Sequence, residues 1–335
     1  MIYDCFTFFN ELDLLEIRLN VLKDVVDKFV IVEAEETHTG KPKPLYFKEN
    51  ESRFSEFADR IIYINAGTFP KGNDAWTNEN IQRNAIERGL VDASSADVIL
   101  ISDLDEIPDP KKVRQYAGVP GIKRFRMDSF AFYLNYMDVR CRTMCAVVML
   151  RYADLRTAFD GVKVLYNEFM PASVNQGNTI TKIRRTHVPQ SKMPTTMVKR
   201  GGWHFTCLGG AEKLVEKIRA VAPHHDFNPD DPSLTRERIE AMIARGEGPA
   251  LKINAFAVPL DDRFPGYIYE HAEKYSHLIF QITNEYEKRV RWLRLFRTMQ
   301  GRLIQFAEFV LFGLHIHGYL HKLRMALLKW RNGSK

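Results

Sequence analysis

The sequence predicts an α/β fold: a mixed, mainly parallel sheet flanked by helices, with a C-terminal helical tail. Three observations predict it. Short apolar runs alternate with helix-period segments over the first hundred residues, the pattern of successive βα units. Those runs are apolar throughout, as strands buried on both faces are. Past residue 288 the chain turns strongly basic while keeping a helical period.

Residues 2–9, apolar and aromatic, predict a buried strand, with Asn10 as turn or cap. Leu12, Leu15, Leu19 and Leu22 then recur at helical spacing. Residues 28–34, KFVIVEA, predict a second strand, so the three elements form a βαβ unit with a right-handed crossover. Residues 35–54 hold Thr, Gly and prolines and read as loop. A short strand is expected over 60–65, a loop over 66–76, and a helix over 77–90 capped by Thr77 or Asn78. Residues 97–102, DVILIS, are the strongest parallel-strand candidate and stop at Asp103-Leu104-Asp105-Glu106-Ile107-Pro108. The order is Rossmann-like. Beyond Pro110 it changes: 122–134 and 145–151 predict longer strands with no helix between them, hence a mixed sheet. Residues 186–197 and 223–232 read as loops, and 211–221 and 235–245 as helices. These elements make one domain over residues 1–287, with the tail over 288–335.

Composition narrows the function. A 45% hydrophobic share excludes general disorder. The formal charge of +6 is uneven: residues 288–335 hold eleven Lys and Arg against one acid, Glu308, so the remainder is mildly acidic. That distribution is not that of a nucleic-acid binder; it suits a tail that meets an anionic surface. Cys5, Cys141, Cys145 and Cys207 lack zinc-finger spacing and read as free buried thiols. No basic n-region precedes the first strand, so no secretory signal is expected, and a cytoplasmic location fits the thiols. There is no Walker motif and no GxGxxG.

Ligands of open α/β sheets sit at the carboxyl ends of strands, where the acids of 103–106 stand. Three acids in four residues repel one another unless a cation joins them. A hard divalent ion held by Asp103 and Asp105, its shell completed by phosphate oxygens, resolves the repulsion and stabilises a departing diphosphate. The alternative is an acidic turn capping the next helix. In Gly201-Gly202-Trp203-His204-Phe205 the glycines allow close backbone approach, and His204 offers an imidazole to the same ion, a set suited to Mn²⁺ or Mg²⁺. A satisfied core histidine is the alternative. Ahead of the acidic strand, Arg83 could grip a phosphate, Asn84 read a base or sugar, and Trp76 stack on a ring; a solvated helix face explains them equally. Glu106, Asp128 and Asp160 are the candidate catalytic bases, and the sequence does not choose among them.

Four motifs in order carry a resemblance: DLLEIRLNVLKDVVDKFVIVEA at 13–34, GKPKPLYF at 40–47, SDLDEIP at 102–108 and GGWHF at 201–205. Together they resemble glycosyltransferase family 17, over residues 1 to about 285. The resemblance implies a GT-A-like fold and inverting transfer from a UDP-sugar, typically UDP-GlcNAc, with Mn²⁺. It gives Asp103 and Asp105 the metal role and matches His204 to the family's GWH histidine. The chain starts without the membrane anchor and stem of the animal members. It therefore reads as a bacterial-type member acting on a glycan or a lipid-linked glycan. Two other functions share parts of the pattern, a metal-dependent nucleotidyl- or phosphotransferase and a non-catalytic glycan- or lipid-binding protein.

In the tail, Trp292, Phe296, Met299 and Leu303 recur at helical spacing, with Arg291, Arg294, Arg297 and Arg302 mostly elsewhere around the helix. Such a helix suits the anionic inner face of the plasma membrane, where each cation is worth about 1 kcal/mol. Residues 306–320 are apolar but broken by Glu308, His315 and His317, too short and polar to span.

Overall fold

The computed structural model describes residues 1–138, 147–157, 179–185, 193–220, 235–248 and 253–288, with Val290 and Met299. The chain forms two compact units, residues 1–281 and 282–335. The first holds both sheets. In the second, residues 284–288 are helical, and the amphipathic run expected in the tail lies, Met299 apart, outside the described residues.

The expected βαβ unit is present as β1 (Ile2–Thr7), α1 (Leu12–Leu22) and β2 (Lys28–Glu33). β1 and β2 pair in parallel, Cys5 against Val30 and Phe6 against Ile31. Successive side chains serve opposite cores, because strand side chains alternate. Phe6, Phe29 and Ile31 join Leu15, Leu19 and Leu22 of α1 in one cluster. Tyr3, Cys5, Val30 and Val32 join the other, on the far face. Burying each large side chain is worth about 1.5–3 kcal/mol, which is why the runs are apolar without alternation.

Residues 46–54 depart from the loop expected over 35–54. A short helix, α2 (Tyr46–Glu49), and the start of a 3₁₀ segment over Glu51–Arg60 occupy its second half. Phe47, Phe54 and Phe57 are buried there, and Phe47 stacks on Tyr63 at 5.1 Å. Burial of these rings overrides the turn signals of the prolines. β3 (Ile61–Asn65) then pairs with β2.

The next helix, α3 (Ala75–Asn84), starts earlier than expected. Its cap is Asp74 rather than Thr77 or Asn78, and the Thr77 N–H donates to Asp74 Oδ1 at 2.8 Å. Asp74→Ala should cost about 1 kcal/mol, read as a small fall in Tm with faster amide exchange confined to the start of α3. A 3₁₀ turn over Ala85–Gly89 completes the segment and buries Ile86 against the second core.

β4 (Val98–Asp103) pairs with β1 in parallel and brings Asp103 opposite Thr7. Then follow β5 (Glu106–Pro108), α4 (Pro110–Tyr116), β6 (Ile122–Phe125), β7 (Asp128–Ala131), β8 (Tyr136–Asp138) and β9 (Val147–Arg151). The strand expected over 122–134 is thus two strands, and they belong to different sheets. β6 lies in the seven-stranded sheet, ordered β10-β6-β9-β4-β1-β2-β3, where β10 is Thr195–Val198. β7 lies in a five-stranded sheet ordered β12-β8-β7-β11-β5, with β11 at Gly202–Thr206 and β12 at Ala255–Ala257. Two of the crossings between the sheets, from β6 to β7 and from β10 to β11, run side by side. Arg126 N–H donates to the Val198 carbonyl at 2.9 Å, and Gly201 N–H donates to the Arg126 carbonyl at 2.7 Å. β9 runs antiparallel to β4 and β6, so the larger sheet is mixed but mainly parallel, as predicted.

Helices α5 (Tyr152–Thr157), α6 (Thr179–Arg185), α7 (Gly210–Ala220), α8 (Arg236–Ala244) and α9 (Gly266–Glu270) complete the described part. Cys5 and Cys207 are free and buried. Cys141 and Cys145 lie outside the described residues. Among the described residues no helix is long and apolar enough to cross a membrane.

Candidate functional site

The acidic segment between β4 and β5 is held from behind by a buried cation. Arg18, in the apolar stripe of α1, is fully buried. It pairs with Asp4 of β1 through Nε at 2.8 Å and Nη2 at 2.6 Å. Its Nη1 donates to the carbonyls of Asp103 and Leu104 at 3.0 Å and of Glu106 at 2.8 Å. Its Nη2 also donates to Ser102 Oγ at 2.6 Å. One guanidinium therefore fixes the backbone path of 102–106, sending the carboxylates of 103 and 105 forward. The acids do not cap a helix; Asp109 caps α4, accepting from Lys111 N–H at 2.8 Å.

Each acid meets a cation from another element. Arg83 of α3, itself buried, donates to Asp103 Oδ1 at 2.8 Å and to Glu79 Oε1 at 2.7 Å. Arg184 of α6 approaches Asp103 Oδ2 at 3.4 Å and donates to both Glu106 oxygens at 2.5 and 2.7 Å. Lys217 of α7 donates to Asp105 Oδ2 at 2.8 Å and pairs with Glu11 at 3.2 Å. His204 Nε2 stands 3.6 Å from Asp105 Oδ1. Among the described residues this gives five carboxylates, Glu11, Glu79, Asp103, Asp105 and Glu106, against the three permanent cations Arg83, Arg184 and Lys217. Counted over these described residues, with Glu106 ionised and His204 neutral, carboxylates outnumber cations.

The environment separates the acids. Burial raises the Asp105 carboxyl, but Lys217 and then His204 outweigh it and hold it far below the usual carboxylate range. Burial likewise lifts Asp103, and Arg83 with Arg184 brings it below its ordinary value. For Glu106 burial wins, despite Arg184, and pushes the carboxyl up to about 7. Burial disfavours the His204 imidazolium, yet Asp105 keeps its pKa raised.

β11 brings GGWHF to this segment by pairing with β5, His204 opposite Glu106. Phe205 N–H donates to the Asp105 carbonyl at 2.8 Å. The glycines serve close approach. Gly202 has φ 148°, and a Cβ on it would lie 2.2 Å from the Ile107 carbonyl oxygen. A Cβ on Gly201 would lie 2.8 Å from Phe125 Cβ. Gly202→Ala should therefore destabilise by about 2–4 kcal/mol and part the two motifs. Thermal unfolding with the His204 imidazole NMR shifts checks this; unchanged shifts at an unchanged Tm would contradict it.

The other predicted residues divide. Asn84 lies at the end of α3, its Oδ1 accepting from Thr181 Oγ1 at 2.6 Å, which ties α3 to α6. Trp76 sits in the first turn of α3, partly buried. Asp128 is not brought to the cluster. It is in register with Trp203 on the neighbouring strand, and both line a cavity on the face opposite His204. Asp160 lies outside the described residues. Of the two described candidate bases, Glu106 is the one placed beside Asp103, whose N–H donates to Glu106 Oε2 at 2.9 Å.

Sequence reasoning missed Arg18, Asp4, Arg184 and Lys217. Arg83 Nε and Nη1 and both amide atoms of Asn80 are buried without hydrogen-bond partners among the described residues. Each such atom costs about 1–3 kcal/mol until a ligand or water satisfies it.

The donor types, carboxylate oxygens with an imidazole nitrogen, fit a hard divalent ion. Asp105 and His204 are close enough to share an ion. Asp103 is instead turned to Arg83 and Arg184, and among the described residues no three His, Cys, Asp or Glu converge as a metal group.

Residues 1–164 match the family model described as Glycosyltransferase family 17. The chain is 35% identical over 107 residues to β-1,4-mannosyl-glycoprotein 4-β-N-acetylglucosaminyltransferase of Homo sapiens, covering 30% of this chain and 20% of that protein. The same protein of Mus musculus is 34% identical over 107 residues, with the same coverage. The chain thus spans about a fifth of the length of the curated relatives it matches. Among solved structures, it is similar to Francisella tularensis 2-C-methyl-D-erythritol 4-phosphate cytidylyltransferase, at TM-score 0.31 and 12% identity, covering 59% of this chain and 89% of that one. It is also similar to an active-site mutant of LgtC, at TM-score 0.31 and 10% identity, covering 85% of this chain and 98% of that one.

Proposed function

We propose, from the premise that residues 1–164 belong to glycosyltransferase family 17, that the chain transfers a sugar from a nucleotide-sugar donor to a glycan hydroxyl. The observation that carries this reading is the end of β4. Carboxylates, a histidine and a buried arginine with unsatisfied N–H groups stand together where α/β sheets bind ligands.

In the finer reading the donor is a UDP-sugar, UDP-GlcNAc first. Arg83 takes its diphosphate through the N–H groups that lack partners, and Asn80 and Asn84 contact its polar groups. Asp103, Asp105 and His204 would hold Mn²⁺ or Mg²⁺, with Asp103 exchanging its arginine contacts for the ion. When bound, the ion adds charge stabilisation for the leaving diphosphate. Arg184 and Lys217 hold the remaining negative charge in place. Glu106 takes the acceptor proton; its pKa of about 7 suits a general base, worth roughly 10²–10⁴-fold.

A nucleotidyltransferase would share the acidic strand end, but the family match favours sugar transfer. A panel of nucleotide sugars and nucleoside triphosphates, assayed with Mn²⁺, separates the readings. Release of nucleoside diphosphate from one nucleotide sugar is expected. Diphosphate release from a triphosphate would replace this reading, and no turnover of any donor would support a non-catalytic glycan- or lipid-binding protein.

The acceptor is a glycan or lipid-linked glycan at the cytoplasmic face of the plasma membrane. The basic residues 288–335 support this placement by their attraction to anionic lipid. Deleting them should move the protein from sedimented membranes to the soluble fraction; an unchanged distribution would refute the placement.

A further inference from the structure

A cavity of about 930 Å³ lies on the face of the five-stranded sheet opposite the acidic cluster. The two are back to back on β11. His204 faces Asp105, and its neighbour Trp203 lines the cavity. Asp128, in register with Trp203, lines it too. Its volume is near the top of the roughly 300–1,000 Å³ range of small-molecule sites.

The lining says what would fit. Trp203 supplies an aromatic ring fixed in place, since its indole N–H donates to the Arg263 carbonyl at 2.7 Å. Tyr267 supplies another, stacked on His271 with centroids 4.2 Å apart. Seven carboxylates and four Lys or Arg side chains line the cavity, so it disfavours phosphates and other anions. With side chains of both signs and two rings in the lining, a ligand that offers many donors and acceptors and apolar faces for the rings fits it. Arg200 reaches the cavity from left-handed backbone, φ 48°, a conformation that costs about 1–2 kcal/mol in a non-glycine residue.

We infer that this cavity is a second carbohydrate site, separate from the acidic cluster, that takes a neutral oligosaccharide between Trp203 and Tyr267, with Asp128, Asp262 and Arg200 as hydrogen-bonding groups. Sugars suit such a lining because their C–H faces pack on rings while their hydroxyls both donate and accept. The site requires no transfer chemistry. It would anchor a distant part of a glycan, or a separate glycan.

The test titrates the full chain, by calorimetry and ligand-detected NMR, with triacetylchitotriose, mannotriose and lactose, and with pentalysine as the competing occupant. The wild type and Asp105→Asn should both bind at least one of the neutral sugars saturably. Arg200→Gly, which relieves the backbone, and Asp262→Asn should each weaken binding about tenfold at an unchanged Tm. The inference is overturned if no neutral sugar binds, or if pentalysine binds in their place. It is also overturned if sugar binding survives both cavity variants or is lost in Asp105→Asn, which would assign it to the acidic cluster. Intact nucleotide-sugar turnover beside absent sugar binding would remove the second site alone.

Discussion

Arg18→Met is expected to destabilise the protein by about 3–5 kcal/mol, because it leaves Asp4 charged, buried and unpaired. Both side chains are fully buried, and the pair is bidentate. A double variant, Arg18→Met with Asp4→Leu, removes both charges and should recover most of that loss, since apolar replacements of buried pairs are often neutral. Activity should not recover with it. The carbonyls of Asp103, Leu104 and Glu106 would still lack their shared donor, and the acids would lose their fixed path. A double variant that is stable but impaired by about 10²-fold or more in kcat/KM is therefore expected; small misplacements of catalytic groups have effects of that size. Denaturant unfolding beside turnover measures both. Full activity in a stable double variant would mean that Arg18 serves the fold alone.

Asp105→Asn should show the converse. The substitution is nearly isosteric, and Lys217 retains Glu11 as partner. Stability should change by about 1 kcal/mol or less, in the range of ordinary polar substitutions. Turnover should fall about 10²–10³-fold, the size of effect seen when one preorganised electrostatic group is removed. His204→Gln should follow the same pattern more weakly, because the imidazole contacts the cluster through Asp105 among the described acids. An Asp105→Asn enzyme with near wild-type kcat would remove Asp105 from the reacting centre.

Much of this site was legible in the sequence because its pieces are local. DVILIS ending at Asp103 reads as a buried strand with acids at its tip, and the structure shows that strand. The glycines of GGWHF read as close approach, and their Cβ clashes show where the approach is. The Arg18–Asp4 pair was legible but unread. Arg18 lies within the stripe of Leu14, Leu15, Leu19 and Leu22, and Asp4 lies within an apolar strand; a charge in each place signals a buried partner. Arg184 and Lys217 gave no such signal. They reach the acids only through the path of the chain, more than seventy residues beyond Asp105, and local pattern cannot encode a contact of that range. The sequence did not choose between Glu106 and Asp128, and the change of sheet near Arg126, which sets Asp128 in register with Trp203, was hidden because residues 122–134 read as one strand.

Calorimetric titration of UDP into the full chain, with Mn²⁺ and then with excess chelator, tests the assignment of the β4 tip most directly. The account predicts saturable UDP binding that weakens at least about tenfold when the divalent ion is removed, and a metal dependence that disappears in Asp103→Asn with Asp105→Asn. UDP binding of equal strength in the wild type with Mn²⁺, in chelator and in the double variant would contradict it.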